Sequence, residues 1–573
     1  MSRFLRHKGL IFAVFGGVIF ALTSPPTDLY PAVFVGLTLL ALSIEDAPTT
    51  LRAFGRGAAW ATAAGVVGLR FVPAVIQRFT TLGTGAAYLA LVLLAAGQSL
   101  LWAIGAGVTS AIHKRTRAPF ELAFAAGVFV VVALPSIFAW TPAGLVSPWP
   151  SLVQLADVIG ERGVSVLFAV SAALLARGIK AAATSQRNEP RFRQKVWAPI
   201  AAALAIPVLL AGYGKLRIRT LFQERKQLPT LSVALINHAI GPEDRWDAKN
   251  HPSILRKLRE MTRDAEAAGA ELTVWPEAAY PYALELGSTQ APRGTRALIG
   301  DGVRGPILFG LITYEKPTRG PDGTFERFSR NSATLISPDG TLQPSYDKLE
   351  LLWFGETVPL GGYLPWLRRL FQKSGGLVPG TEPHALVLAR ANGDVRMGVL
   401  NCYEDTLAGV GKRITRELHP NLLVNVTNDA WFFGTAEPEL HARLAAMRAI
   451  EHRLDLVRGV NLGVLSWIDA SGVVISRDAS QIASTLIANP TIRDGSQTFY
   501  GKFGDKPLVG LLVVAIVWCA WRARRDGPAK ADASSERTKG EAGVNESAYA
   551  GDNQAAAPEG DAGNEVASRP PDL

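Results

Sequence analysis

The chain has 573 residues, 48% of them hydrophobic and 19% charged, with a mean hydropathy of +0.17. It is too long for one domain and too apolar for an ordinary soluble protein. Its net charge of +10 sits in basic clusters between apolar blocks, which marks membrane topology and excludes a nucleic-acid footprint as its origin.

The apolar blocks Leu10–Leu22, Leu29–Ile44, Gly57–Leu69, Ala86–Val108, Phe120–Leu134, Val164–Leu175 and Trp197–Tyr213 precede residue 214, and Leu508–Trp521 stands alone near the end. Several are shorter than the roughly 20 residues that span a bilayer, so the spans extend into their flanks. The pattern predicts a membrane domain over 1–213 with seven transmembrane helices, a mixed domain over 214–506 and an eighth span over 507–522. Basic residues precede the first span (Arg3, Arg6, His7, Lys8) and follow the second, fourth, sixth and eighth (Arg52, His113, Lys114, Arg177, Arg522). These clusters share one side when both termini are cytoplasmic, which puts 214–506 on the far face. Lys215, Arg217 and Arg219 oppose that rule, but long domains cross largely regardless of charge. The first segment resembles a secretory signal, and the six further spans argue for an uncleaved anchor. Almost no ionisable residues interrupt the early spans, which speaks against a transporter.

Between Leu228 and Phe503 the pattern alternates. Leu231–Asn237, Leu272–Trp275, Ile307–Thr313, Ala333–Ile336, Ala385–Leu388, Val395–Leu400 and Leu422–Val426 read as strands. Ser253–Ala268 and His441–Leu456 read as helices, and Gly463–Asp469 with Val473–Ser476 as a hairpin. Short β-branched runs with helices between them predict a layered α/β domain. Residues 523–573 are rich in Ala, Gly, Glu, Asp and Pro and predict a disordered cytoplasmic tail.

Three residues stand where apolar strands give out. The Val395–Leu400 run ends at Cys402, a position that meets backbone N–H groups and favours a thiolate. Glu277 follows Val274-Trp-Pro, and Lys348 follows Tyr346-Asp. Taken singly, a lone Cys is a small buried hydrophobe and an isolated Glu or Lys is surface decoration. Together on one rim they make a coherent set: a carboxylate that moves the thiol proton, an ammonium that stabilises an oxyanion, and a sulfur nucleophile.

The connection between Lys348 and Cys402, with Trp353, Phe354, Tyr363, Trp366 and Phe371, is strongly apolar and holds two Gly-Gly pairs, as expected of a loop that meets lipid or of one that packs on its own domain. Asn428-Asp429 and Trp431 follow a strand and read equally as pocket wall or as a turn. Arg448 and Glu451, at helical i,i+3 spacing, read as a surface or supporting ion pair. His441 has no His or Cys partner at metal spacing and reads as structural. There is no His-Glu-x-x-His, Cys-x-x-Cys or Gly-x-Ser-x-Gly, so neither a metal nor another cofactor is expected.

Trp275-Pro-Glu277, Tyr346-Asp-Lys348, Phe354-Gly-Glu-Thr-Val-Pro-Leu360, Cys402-Tyr-Glu404, Thr427-Asn-Asp-Ala-Trp-Phe432 and Met447-Arg-Ala-Ile-Glu451 resemble the nitrilase superfamily. More closely they resemble its apolipoprotein N-acyltransferases, and the likeness runs through almost everything before the tail. It implies a multi-pass α-helical membrane domain joined to an extracytoplasmic nitrilase-like αββα sandwich in a bacterial inner membrane. It also implies Glu277 as general base and acid, Lys348 as oxyanion stabiliser and Cys402 as nucleophile. Glu356, Tyr403 and Glu404 would assist, and Trp353, Phe354, Trp366, Phe371, Asn428 and Trp431 would bind substrate. The chain departs from the family at Glu350 (usually His), Trp353 (Pro), Thr357 (Tyr) and Asn401 (a hydrophobic residue).

The resemblance implies transfer of an acyl chain from a phospholipid, through a thioester on Cys402, to the N-terminal amine of a diacylated lipoprotein. Two other readings stay open at this point. One is a membrane-tethered amidase in which water resolves the thioester, and the other is a transporter or scaffold with an idle triad.

Overall fold

The computed structural model describes residues 2–525 apart from residues 81, 139, 187–190, 320–324, 327, 359–362 and 364–375. Each of the eight apolar blocks centres on one helix: Ser2–Ala21, Ala32–Glu45, Thr50–Gly68, Thr84–Thr116, Phe120–Ala133, Ala156–Thr184, Phe192–Arg225 and Lys506–Arg525. Four of these are long and apolar enough to cross a membrane, and a fifth is if Thr50–Gly68 and Val72–Arg78, bent by 58°, form one broken span. Lys8–Ala21, Ala32–Glu45 and Phe120–Ala133 are apolar but shorter. Fourteen residues, as in Ala32–Glu45, reach roughly 21 Å at 1.5 Å per residue, against a hydrocarbon core of roughly 30 Å. By length, four or five spans stand where the sequence predicts eight.

The bundle closes around Phe20, Leu37, Trp60, Phe124 and Phe168. Trp60 stacks within 4.7 Å of Phe20 and 4.5 Å of Trp102, and its indole N–H donates to the Gly36 carbonyl at 3.0 Å. A Cβ on Gly17 would lie 2.0 Å from the Trp60 carbonyl oxygen, so only glycine lets those helices approach.

Beyond the bundle, strands β1 (Val233–Asn237), β2 (Leu272–Val274), β3 (Leu284–Glu285) and β4 (Ile307–Tyr314) are followed by a short hairpin, β5 (Thr318–Arg319) and β6 (Phe325–Glu326). Next come β7 (Ser329–Ile336), β8 (Tyr346–Asp347), β9 (Leu386–Leu388), β10 (Val395–Asn401) and β11 (Leu422–Asn428). The last are β12 (Leu456–Asn461), β13 (Leu465–Ile468), β14 (Val474–Asp478) and β15 (Ser484–Ala488). One sheet runs β15-β1-β2-β4-β7-β8 with β3 beside β4, and the other runs β14-β13-β12-β11-β10-β9. β1, β2 and β4 are parallel to one another, as are β10, β11 and β12. Val233, Leu235, Val274 and Leu308 of one sheet share a core with Val399, Val424 and Val457 of the other. The His251–Ala267 helix packs Ile254, Leu255 and Leu258 with Ile236, Trp275 and Phe309 of the first sheet. The Glu437–His452 helix covers the second sheet, which completes an αββα sandwich.

That helix serves two cores. Leu440, Leu444, Met447 and Ile450 belong to the bundle core, while Ala445, Ala446 and Ala449 face the sheet. Arg448 and Glu451 are both fully buried, not at the surface as the spacing alone allowed. Arg448 Nε lies 3.0 Å from Glu451 Oε2, and its Nη2 donates to Glu161 of the Ala156–Thr184 helix. Glu161 follows Gly160, whose φ of 71° breaks that helix, and it also accepts from the Thr141 hydroxyl. Arg453 repeats the device with Asp157 at 2.9 Å. The ionisable residues missing from the early spans are thus present where this later helix meets the domain.

Two of the elements that differ from the sequence reading adjoin one another. The helix expected over His441–Leu456 spans Glu437–His452 and ends at Arg453 with φ 54°, and Leu456 opens strand β12. Arg458-Gly459 interrupts the apolar run of β12 and hid it, yet Arg458 is fully buried and held by Asp405.

Candidate active site

Glu277, Lys348 and Cys402 all sit just past the carboxyl ends of strands β2, β8 and β10. Ligand sites gather on this edge of parallel sheets, where strands end and loops begin. Pro276 ends β2, and the turn passes so close to β4 that a Cβ on Gly310 would lie 2.5 Å from the Pro276 carbonyl. Glu277 is thereby carried into the site, 7% exposed. Cys402 adopts φ 57°, a left-handed conformation that costs a side chain roughly 1–2 kcal/mol. Asn425 braces the strain by donating Nδ2 to the Cys402 carbonyl at 3.0 Å.

The three side chains meet. The Cys402 thiol faces Glu277, and Lys348 Nζ stands 3.3 Å from Glu277 Oε1. Lys348 is 1% exposed, pairs with Glu356 Oε2 at 2.8 Å and lies 5.5 Å from the centroid of the Tyr403 ring. The remaining Glu277 oxygen, Oε2, accepts the Asn428 main-chain N–H at 2.9 Å.

Burial sets the charge states. It raises the Glu277 carboxyl above its ordinary value, Lys348 opposes the rise and Glu356 adds to it. Burial and the facing Glu277 also push the Cys402 thiol well above its usual range. The resting sulfur is therefore a thiol, not the ready thiolate that a strand-end position suggests. Burial alone would lower Lys348, but Glu356, Cys402 and Glu277 together hold it well up, as an ammonium.

The assisting residues brace more than they touch. Glu404 is fully buried and accepts from four donors: Leu349 N at 2.7 Å, Glu350 N at 3.0 Å, Asn401 N at 2.8 Å and the Tyr346 hydroxyl at 2.7 Å. It thus clamps the segment carrying Lys348 to the turn carrying Cys402, and burial pushes its carboxyl up to about 7. The Tyr403 hydroxyl donates to the Leu351 carbonyl at 3.1 Å. Glu356 turns back on its own loop, accepting Leu352 N at 2.9 Å.

Of the expected substrate-binding residues, Trp353 is half exposed and Phe354 and Trp431 are partly buried near the rim. The Asn428 side-chain oxygen accepts from Asn461 Nδ2 at 3.0 Å, while its main-chain N–H donates to Glu277. Trp366 and Phe371 lie outside the described residues.

His441 is gripped on both nitrogens, by Asp405 at 2.9 Å and Asp429 at 3.0 Å. Burial would lower its pKa, but the two carboxylates hold it well above the ordinary value. One ligand atom each from Asp429, Glu437 and His441 lie within 4.8 Å of one another, but a doubly engaged imidazolium has no lone pair for a metal. The residue that the sequence reading missed is Asn331, buried in β7. Its Nδ2 donates to Glu277 Oε1 at 2.6 Å and to Glu356 Oε1 at 2.7 Å. It lies in the polar run Ser329-Arg-Asn-Ser, outside the expected strand Ala333–Ile336, so nothing in the sequence marks it.

The sandwich and its strand-end Glu, Lys and Cys define a carbon-nitrogen hydrolase domain, and residues 232–491 match the carbon-nitrogen hydrolase family. Residues 16–174 match the apolipoprotein N-acyltransferase N-terminal domain. An apolipoprotein N-acyltransferase of Geobacter metallireducens is 28% identical over 525 residues, covering 87% of this chain and 92% of the relative. That of Brucella melitensis is 28% identical over 83% of this chain and 89% of its own. For Bradyrhizobium diazoefficiens the values are 27%, 89% and 94%. Over most of its length the chain is similar to apolipoprotein N-acyltransferases.

Proposed function

We propose that this membrane protein N-acylates lipoproteins, with a phospholipid as acyl donor and Cys402 as the covalent carrier. The observation that carries the reading is the placement of Glu277 against the Lys348 ammonium and facing the Cys402 thiol, in a domain whose own helix is part of the membrane bundle.

In the first half-reaction Glu277 takes the thiol proton as Sγ attacks an ester carbonyl of the phospholipid. Lys348 stabilises the oxyanion that forms. The C–O bond then breaks, Glu277 returns the proton to the leaving alkoxide, and a lysophospholipid departs from the thioester. In the second half-reaction the α-amine of the lipoprotein's diacylglyceryl-cysteine attacks the thioester carbonyl. Glu277 accepts the amine proton and passes it to the departing sulfur, leaving an amide and the free thiol.

Half-exposed Trp353 and the apolar segment after it support a lipid-facing entrance. The basic clusters support both termini in the cytoplasm of a bacterial inner membrane, the catalytic domain outside, and domain limits near residues 213, 506 and 522.

Reconstitution with a defined phospholipid and a synthetic diacylated lipopeptide tests the activity. A lipopeptide heavier by one acyl group, together with lysophospholipid, is the expected result. Free fatty acid with unchanged lipopeptide would instead favour the tethered hydrolase. For the topology, Glu382→Cys is exposed on the domain and reacts with an impermeant maleimide in intact spheroplasts. Labelling only after lysis would overturn the orientation.

A further inference from the structure

We infer that Asn401 is a positioning residue for the reaction: acting through Asn331, it fixes the direction in which the Glu277 and Glu356 carboxylates point. The inference rests on the proposed role of Glu277 as the base.

The two amides come from different sheets. Asn331 lies within β7 and Asn401 ends β10, with exposures of 4% and 0%. Asn401 Nδ2 donates to Asn331 Oδ1 at 3.1 Å, a bond that joins the sheets beside the nucleophile. Asn331 then spends both amide hydrogens on carboxylates, Glu277 Oε1 at 2.6 Å and Glu356 Oε1 at 2.7 Å. Its main-chain oxygen accepts the Lys348 N–H at 2.9 Å. One buried amide thus touches the base, the partner of the ammonium and the backbone of the lysine.

An amide has a donor end and an acceptor end that differ little in shape. Turned over, Asn331 would set its carbonyl oxygen against two carboxylates and its NH₂ against another NH₂. The Asn401 donor favours the single orientation in which both carboxylates receive a hydrogen. That matters because Glu277 and Glu356 share one ammonium, and Lys348 stands closer to Glu356, at 2.8 Å against 3.3 Å. Without Asn331 in place, Glu277 Oε1 keeps only the longer contact, and the Asn428 N–H on Oε2 is left as the one other hydrogen bond directing the carboxylate. The main-chain N–H of Asn401 donates to Glu404, so the residue before the nucleophile ties the turn and the base into one unit. A leucine at position 401 would fill similar space and supply no donor.

The test compares full-length protein with Asn401→Leu, Asn401→Asp, Asn331→Ala, the Asn401→Leu/Asn331→Ala double variant and Glu277→Gln. Single-turnover acylation by a phospholipid is measured beside iodoacetamide alkylation of Cys402, read on its own peptide by mass spectrometry across pH. Asn401→Leu is expected to slow acylation roughly tenfold with KM little changed. The charged groups facing Glu277 are Lys348 after β8, Glu356 in the loop beyond it and Cys402 after β10. With those unchanged, loss of an amide donor favours protonated Glu277, so the acid limb of alkylation moves to higher pH. Asn331→Ala should lose more, and the double variant should match it, because Asn401 acts through Asn331. Asn401→Asp keeps the shape, turns donor into acceptor and should lose at least as much as the leucine variant. Wild-type rates in both Asn401 variants, or losses that multiply in the double variant, would overturn the inference. If Glu277→Gln keeps the wild-type alkylation profile, the base assignment fails instead. If Glu277→Gln flattens the profile and Asn401→Leu leaves it in place, this inference alone falls.

Discussion

Lys348 is held more tightly by Glu356 than by Glu277, with Nζ 2.8 Å from the first and 3.3 Å from the second. The ammonium is thereby steadied chiefly by Glu356, which on the proposed mechanism leaves Glu277 to exchange a proton with Cys402.

Substitution should separate those roles. Glu356→Gln keeps the shape but removes the charge that faces Lys348, and is expected to slow acylation by roughly 10²-fold. Glu277→Gln removes the proton acceptor and Lys348→Met the oxyanion partner, and each should cost roughly 10³-fold or more. Single-turnover acylation rates check the order. A Glu356 variant as inactive as the Glu277 variant would place Glu356 in the proton transfer itself.

The contact between bundle and domain carries a stability prediction. Arg448→Ala leaves Glu161 and Glu451 facing each other with no cation between them. Breaking a buried pair from one side costs roughly 3–5 kcal/mol, so the melting temperature in detergent should fall by several degrees. Glu451→Gln, which keeps one partner for Arg448, should fall by less. Equal melting temperatures for Arg448→Ala and wild type would show that the junction is wet and loosely held.

What could be read from the sequence and what could not follows from burial. Glu277 and Cys402 stood out because an apolar strand stops near each of them, a change visible in one dimension, and Lys348 stood out through the Tyr346-Asp-Lys348 run after a strand and turn. Asn331 did not, because Ser329-Arg-Asn-Ser reads as loop and shortened the expected strand to Ala333–Ile336. Its function lies in pairing with Glu277, 54 residues away in the chain, which periodicity cannot report. Arg448 and Arg458 failed for a related reason: a charged residue is read as surface until its partners, Glu161 and Asp405, are placed beside it. The apolar blocks were legible as helices but not as spans, since the bend at residues 68–72 and the helices of fourteen residues depend on packing.

Buried carboxyls give a pH dependence. Burial raises Glu404 to about 7, Glu451 to about 7 and Glu437 to about 8, from an ordinary value of 4.5. A raised folded-state value means that the folded form holds the proton more tightly than the unfolded chain does. Stability from these groups is complete below about pH 4.5 and is lost as pH rises through 7 to 8. Melting temperature should therefore fall between pH 5 and pH 8. Glu404→Gln, neutral throughout, should flatten the part of that slope centred near pH 7. A Glu404→Gln curve parallel to wild type would mean that the four donors keep Glu404 ionised across the range.

The central claim is that Cys402 carries the acyl group, and intact mass measurement of the purified protein after incubation with a phospholipid of known chains tests it most directly. Wild type should gain the mass of one acyl chain, located to the Cys402 peptide and discharged on adding a diacylated lipopeptide. Cys402→Ala should gain nothing while keeping its melting temperature. An adduct that survives in Cys402→Ala, or one that the lipopeptide does not discharge, would contradict the account.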